Sequence, residues 1–206
     1  MFKISMNDID RLFKAISEVD TLYLPIERGE QIEFYAYDEE AKVRLDALHT
    51  VKSAKDAFLP NCETMMKFKV EGKNIEVEET ARVEEEFVIF GVRACDARSF
   101  SILDKVYLAD PVDTFYAARR EHGVVVSMAC NRPEETCFCN KFDIDATKPE
   151  GDVVTWIVGD ELFWEAQTEK GEALTEKVKS VLTDADSAAV DKQREEVKAI
   201  MDKLPL

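Results

Sequence analysis

Glycine is scarce in this chain, long apolar runs are missing, and basic residues are in the minority. Only 7 of 206 residues are glycine. None sits in a phosphate-binding loop or a nucleotide fingerprint, which argues against a flavin or nicotinamide site within the chain. With 2 histidines in all, no Ser/His/Asp set is present, which sets aside the common hydrolytic triads. No apolar run reaches membrane length, so no membrane span is expected. The opening Met1-Phe2-Lys3-Ile4-Ser5-Met6-Asn7-Asp8 lacks the apolar core of a secretion signal. Lysine and arginine number 27 against 43 aspartates and glutamates, a formal charge of -16. That balance speaks against nucleic acid and anionic membrane surfaces as partners, and solubility is its plainest account. The expected location is the cytoplasm, where thiols stay reduced.

A hydrophobic fraction of 46%, with 12 Phe, 5 Tyr and 2 Trp, suffices for one sizeable core. Asn7 or Asp8 is placed to cap a helix with Ile9, Leu12, Phe13 and Ile16 at helical spacing. Thr21-Leu22-Tyr23-Leu24-Pro25-Ile26 reads as a strand, with Pro25 favouring an edge position. Gln31-Ile32-Glu33-Phe34-Tyr35-Ala36-Tyr37 reads as another, and a helix is expected around 41–49. Met65-Met66-Lys67-Phe68-Lys69-Val70 and Asn74-Ile75-Glu76-Val77-Glu78 flank Glu71-Gly72-Lys73 as a β-hairpin. Val153-Val154-Thr155-Trp156-Ile157-Val158 and Glu161-Leu162-Phe163-Trp164-Glu165-Ala166 make a second one around Gly159-Asp160. Two charged helices, near 170–182 and 188–204, close the chain.

The middle reads most plainly. Phe87-Val88-Ile89-Phe90-Gly91-Val92 leads to Cys95, and Val124-Val125-Val126-Ser127-Met128 leads to Cys130. Between them Phe100, Leu103, Val106 and Tyr107 mark one helical face, and Asp113 or Thr114 opens a second helix reaching His122. Strand, helical segment and buried strand make a βαβ unit, and such sheets bind ligands outside the carboxyl ends of their strands. Cys95 and Cys130 fall on that side, and Thr136-Cys137-Phe138-Cys139 follows shortly after. Four thiolates at one edge are what a metal ion or an iron–sulfur cluster takes. On an extended backbone Cys137 and Cys139 point oppositely, which suits the separated corners of a [4Fe-4S] cluster better than one tetrahedral ion. A structural zinc site, a dithiol switch at Cys137 and Cys139, and buried cysteines with no cofactor stay open as alternatives. Cys62, isolated in Leu59-Pro60-Asn61-Cys62-Glu63, is the expected bystander. Arg93, Arg98, Arg119, Arg120 and Arg132 crowd the same stretch, where positive charge would favour thiolates. Taken singly, Arg119 and Arg120 read as partners of surface carboxylates, Asp96 as a helix cap, and His122 as a helix-end residue.

Four segments together carry a resemblance. They are Phe90-Gly91-Val92-Arg93-Ala94-Cys95-Asp96, Ile102-Leu103-Asp104, Tyr116 with Arg119-Arg120-Glu121, and Cys130…Pro133…Thr136-Cys137-Phe138-Cys139. They resemble the amino-terminal domain of the iron–sulfur electron-transfer subunits found in sulfhydrogenases, as the β subunit, and in anaerobic sulfite reductases. Leu59-Pro60…Glu63 and Trp156…Phe163-Trp164-Glu165 are supporting landmarks. The resemblance implies a cytoplasmic redox complex of an anaerobe, in which such subunits pass electrons between flavin-containing and catalytic subunits. It also implies a following helical domain with two [4Fe-4S] clusters on Cys-x-x-Cys runs, which this sequence does not contain.

The expected fold is α/β, with a parallel βαβ centre, added antiparallel hairpins and two C-terminal helices. Residues 1–184 are expected to form the α/β domain and 185–206 a C-terminal helix, a linker to that further domain. The chain itself is expected to be a non-catalytic electron-transfer component holding one [4Fe-4S] cluster through Cys95, Cys130, Cys137 and Cys139. A cluster-free docking module, or a structural zinc domain, is the alternative.

Overall fold

The structure of the chain, a computed structural model, describes residues 1–79 and 85–204. In chain order the elements begin with β1 (Phe2–Ser5), α1 (Ile9–Ser17), β2 (Thr21–Arg28), β3 (Gln31–Ala36), β4 (Met66–Glu71) and β5 (Asn74–Glu79). They continue with β6 (Phe87–Arg93), α2 (Ala94–Tyr107), α3 (Thr114–His122) and β7 (Gly123–Met128). The last are β8 (Val153–Val158), β9 (Glu161–Ala166), α4 (Glu169–Val178), β10 (Thr183–Asp184) and α5 (Ala188–Met201). One sheet has the strand order β10-β1-β9-β8-β7-β6-β2-β3, and β4 and β5 pair only with each other. The central strands β8, β7, β6 and β2 run parallel. The outer strands β3, β9, β1 and β10 add antiparallel margins. The α/β fold with a parallel centre, hairpins and C-terminal helices is thus as the sequence pattern indicates.

β6 and β7 are buried along their whole lengths, as continuous apolar runs in a parallel sheet must be. Alternation sends Val88, Phe90, Val124 and Val126 to the face covered by Leu12, Phe13 and Ile16 of α1 and Leu174 and Val178 of α4. Phe87, Ile89 and Val125 go to the opposite face, against Phe58, Phe100 and Tyr116. α3 begins where Asp113 accepts the backbone N–H groups of Phe115 and Tyr116 at 3.0 and 2.9 Å, a side-chain N-cap. Gly123 starts β7 without a side chain because a Cβ there would lie 2.4 Å from the Phe58 ring.

The step from β7 to its parallel neighbour β8 contains no α-helix. Loop 129–152 makes the crossing, and α5, arriving from much later in the chain, supplies the missing layer. Val190 packs with Ala129, Val154, Trp156 and Phe163, and Val197 and Met201 pack with Ala94 and Ala146. Residues 205–206 of the expected C-terminal segment lie outside the described residues.

Three local expectations are corrected. Pro25 is not on an edge strand, because β2 lies between β6 and β3. Pairing of β2 with β6 ends at Tyr23, so the proline's missing N–H falls beyond the last rung. Its ring rests by Gly91, where φ is +95° and the β6–β7 register shifts. Residues 41–49 are not helical: Val43 bridges Ile26, and Leu45 is buried. α2 starts at Ala94, with Arg93 rather than Asp96 at its cap position. Of the residues on its marked face, Phe100 is buried and Val106 is 63% exposed.

Candidate functional site

Strand register brings the first two cysteines together. Arg93 of β6 and Met128 of β7 form the last parallel pair, so Cys95 and Cys130 each stand two residues beyond the same rung. Cys95 enters the first turn of α2, and the Cys130 backbone N–H donates to Ala146 O at 2.8 Å. Loop 129–152 then folds back. The Cys137 N–H donates to Glu134 O at 3.0 Å, and Cys139 opens a short 3-10 turn. The Glu134 N–H donates to Cys137 Sγ at 3.3 Å. All five cysteines are free of disulfides.

The four thiols act on one another. A hydrogen bond with Cys139 holds the Cys95 thiol down at a pKa of about 6, helped by backbone N–H groups at the helix start and opposed by burial. Cys139 is pushed up by the same hydrogen bond, by burial, and by the charge of Cys95, Cys130 and Cys137. The two thiols therefore titrate as a coupled pair. Burial pushes Cys130 up, and the Arg93 guanidinium pulls against it. Cys62 takes no part: it is exposed on the loop after Phe58, in a recess with Pro60 and Arg119.

Arg93 is the cation at this edge. It is buried, and its guanidinium donates to the carbonyls of Leu45, Ala47 and Ala129 at 2.6 to 3.1 Å while also meeting Cys130. It thereby ties the 45–47 segment to the end of β7. Arg98 pairs with Glu150 at 2.7 Å, Arg119 with Glu63, and Arg120 with Asp104 at 2.8 Å. Three of the five expected arginines therefore spend their charge away from the sulfurs. Asp96 accepts from Ser53 Oγ at 2.7 Å and from Lys55. His122 pairs with Glu86 at 2.9 Å.

Two features of the edge were not read from the sequence. A cleft of about 800 Å³ opens beside Ala129 and Asn131, walled by Phe13, Leu45, Met128 and Ile157, with Arg93 and Arg132 at its lining. The period-two spacing of Ala41, Val43, Leu45 and Ala47 is the signal that would have placed its wall. Phe138 and Phe142 are 54% and 64% exposed, their rings 5.6 Å apart, flanking Cys139.

Among the described residues no group of three or more His, Cys, Asp or Glu is drawn tightly enough to hold a single metal ion. The donor set is nonetheless all sulfur, drawn from three segments, with a buried cation against it. That chemistry fits an iron–sulfur centre, whose corners are wider apart than the ligands of one tetrahedral ion.

No family model matches the chain. It is 29% identical over 178 residues to sulfhydrogenase 2 subunit beta of Pyrococcus furiosus, an alignment covering 80% of this chain and 51% of that protein. The chain thus spans about half the length of the curated relative it matches. No helix among the described residues is long and apolar enough to cross a membrane. The identity, spread over four-fifths of the chain, supports a sulfhydrogenase β-like relationship for this protein.

Proposed function

We propose that this chain is an electron-transfer domain or subunit of a multi-subunit redox complex, and that Cys95, Cys130, Cys137 and Cys139 hold one [4Fe-4S] cluster. The observation that carries it is the register that sets Cys95 and Cys130 two residues beyond one rung at the carboxyl end of the parallel strands, with Cys139 packed beside Cys130 and Cys137 on the same returning loop. The name of the relative, a sulfhydrogenase β subunit, supports assembly with other subunits. By the resemblance these are flavin-containing and catalytic subunits in the cytoplasm. Residues 185–206 would lead toward a further domain.

When bound, the cluster supplies one-electron exchange. The chain's own residues set its surroundings. Arg93, fixed by three carbonyls, offsets thiolate charge, and the Glu134 amide stabilises negative charge on Cys137. Val197, Met201 and Ala146 keep water from the inner side, where Cys130 and Cys139 pack against them. Phe138 and Phe142 leave an apolar outer side open to a partner. An all-cysteine ligand set leaves no open coordination position, so no catalysis by this chain alone is assigned. Anaerobic purification with iron and sulfide quantification tests the proposal. Iron and sulfide in equal amounts, with a broad visible absorption that bleaches on reduction, are expected. A colourless protein with reactive thiols would overturn it, and zinc without iron would make the site structural.

A further inference from the structure

The ribbon of β4 and β5 sorts its side chains by register. Phe68 faces Val77 and Val70 faces Ile75 across the two strands, with Met66 beside them, so all five share one face. Lys67 opposite Glu78, and Lys69 opposite Glu76, occupy the other. The polar face is open to water and carries the Lys69–Glu71 ion pair. The apolar face is open as well: Met66, Phe68, Val70, Ile75 and Val77 are each 56% to 68% exposed. Neither strand pairs with the main sheet. An isolated two-stranded ribbon is marginal in water, and a contiguous apolar patch of a few hundred Å² marks an interaction surface.

We propose that a second copy of this chain covers this face, the two ribbons packing apolar side to apolar side about a two-fold axis. Charge selects the arm as the place where copies can meet. The chain carries -16, so two copies repel almost everywhere. Along 66–79 Lys67, Lys69 and Lys73 stand against Glu71, Glu76, Glu78 and Glu79, which leaves the arm a net charge of only -1. Area is sufficient as well. Five side chains at roughly 100 Å² each give about 500 Å² per copy, and the pair reaches the about 1,000 Å² that a specific interface needs. A two-fold contact is self-complementary, so each ribbon supplies the cover the other lacks.

Sedimentation equilibrium of the full chain tests this. A monomer–dimer equilibrium is expected, and added sodium chloride should tighten it, because salt screens the repulsion between acidic bodies while leaving the apolar contact in place. Phe68→Ser with Ile75→Ser should raise the dimer Kd at least about tenfold with an unchanged circular dichroism spectrum. Ile102→Ser with Val106→Ser, on the exposed side of α2, should leave it unchanged. A chain that stays monomeric at every concentration and salt overturns the proposal and leaves the face to a different protein. A dimer indifferent to the ribbon variant, or dissolved by the α2 variant, overturns it too.

Discussion

Phe90 in β6 and Phe68 in β4 are both aromatic residues in the middle of a strand. Their surroundings are opposite: Phe90 is fully buried and Phe68 is 68% exposed. Part of the difference lies in the strands: β6 is apolar on both faces, whereas β4 alternates lysines with its apolar residues. β6 is followed by two helices that cover one of its faces, while α1 and α4 cover the other. β4 is followed by a tight turn at Gly72 and its own partner strand, and it stays exposed at every position. A strand's pattern states which faces need cover, and elements from before and after it in the chain supply that cover.

Stability measurements sharpen that contrast. Phe90→Ala should lower the unfolding free energy in urea by about 3–5 kcal/mol, the cost of a buried aromatic. Phe68→Ala, measured at a concentration where the chain is monomeric, should change it by no more than about 0.5 kcal/mol. Equal losses would erase the distinction. A smaller contrast separates two arginines. Arg93→Met strands three buried carbonyls and should cost about 3 kcal/mol. Arg98→Met removes the exposed pair with Glu150 and a long contact to Ser101 Oγ, and should cost at most about 1 kcal/mol. Similar costs in urea would show that Arg93 is not the tie between the 45–47 segment and β7.

The smallest effect is a pH dependence on the α2–α3 side. Burial raises the Asp104 carboxyl, but hydrogen bonds from Arg120 and Tyr116 outweigh it and hold the group below its ordinary 3.8. A depressed carboxyl contributes stability that is present in full above its unfolded pKa and is lost as pH falls through the lower folded value. Asp104→Asn should therefore flatten the loss of stability below about pH 4. An acid transition as steep as that of the parent chain would show that Asp104 carries none of it.

Much of this was legible in the chain. The all-valine run before Ser127 announced a strand buried on both faces, and Gly72 and Gly159, both at positive φ, announced the hairpin turns. Cys95 and Cys130 follow strands that end on one rung, so their convergence was readable once those strands were taken as parallel. Other parts were not. Residues 41–49 look helical by composition, yet their apolar residues recur every second position, and segment 41–44 continues beside β2 where β6 has left it. α2 starts early, directly after Arg93, a residue that no capping preference marks and that makes no side-chain cap. The helix-free crossing from β7 to β8 depends on α5, whose contribution from a distant stretch no local pattern conveys. The openness of the β4–β5 face has the same origin: alternation states which side chains share a face, not what covers them.

The cofactor content of two serine variants tests the central claim most directly. After anaerobic purification or reconstitution, iron and sulfide are measured per chain in Cys137→Ser and Cys62→Ser beside the parent protein. Convergence of Cys95, Cys130, Cys137 and Cys139 on one cluster predicts that Cys137→Ser loses most or all of both, while Cys62→Ser matches the parent. Equal loss in the two variants, or iron retained in Cys137→Ser, would contradict it.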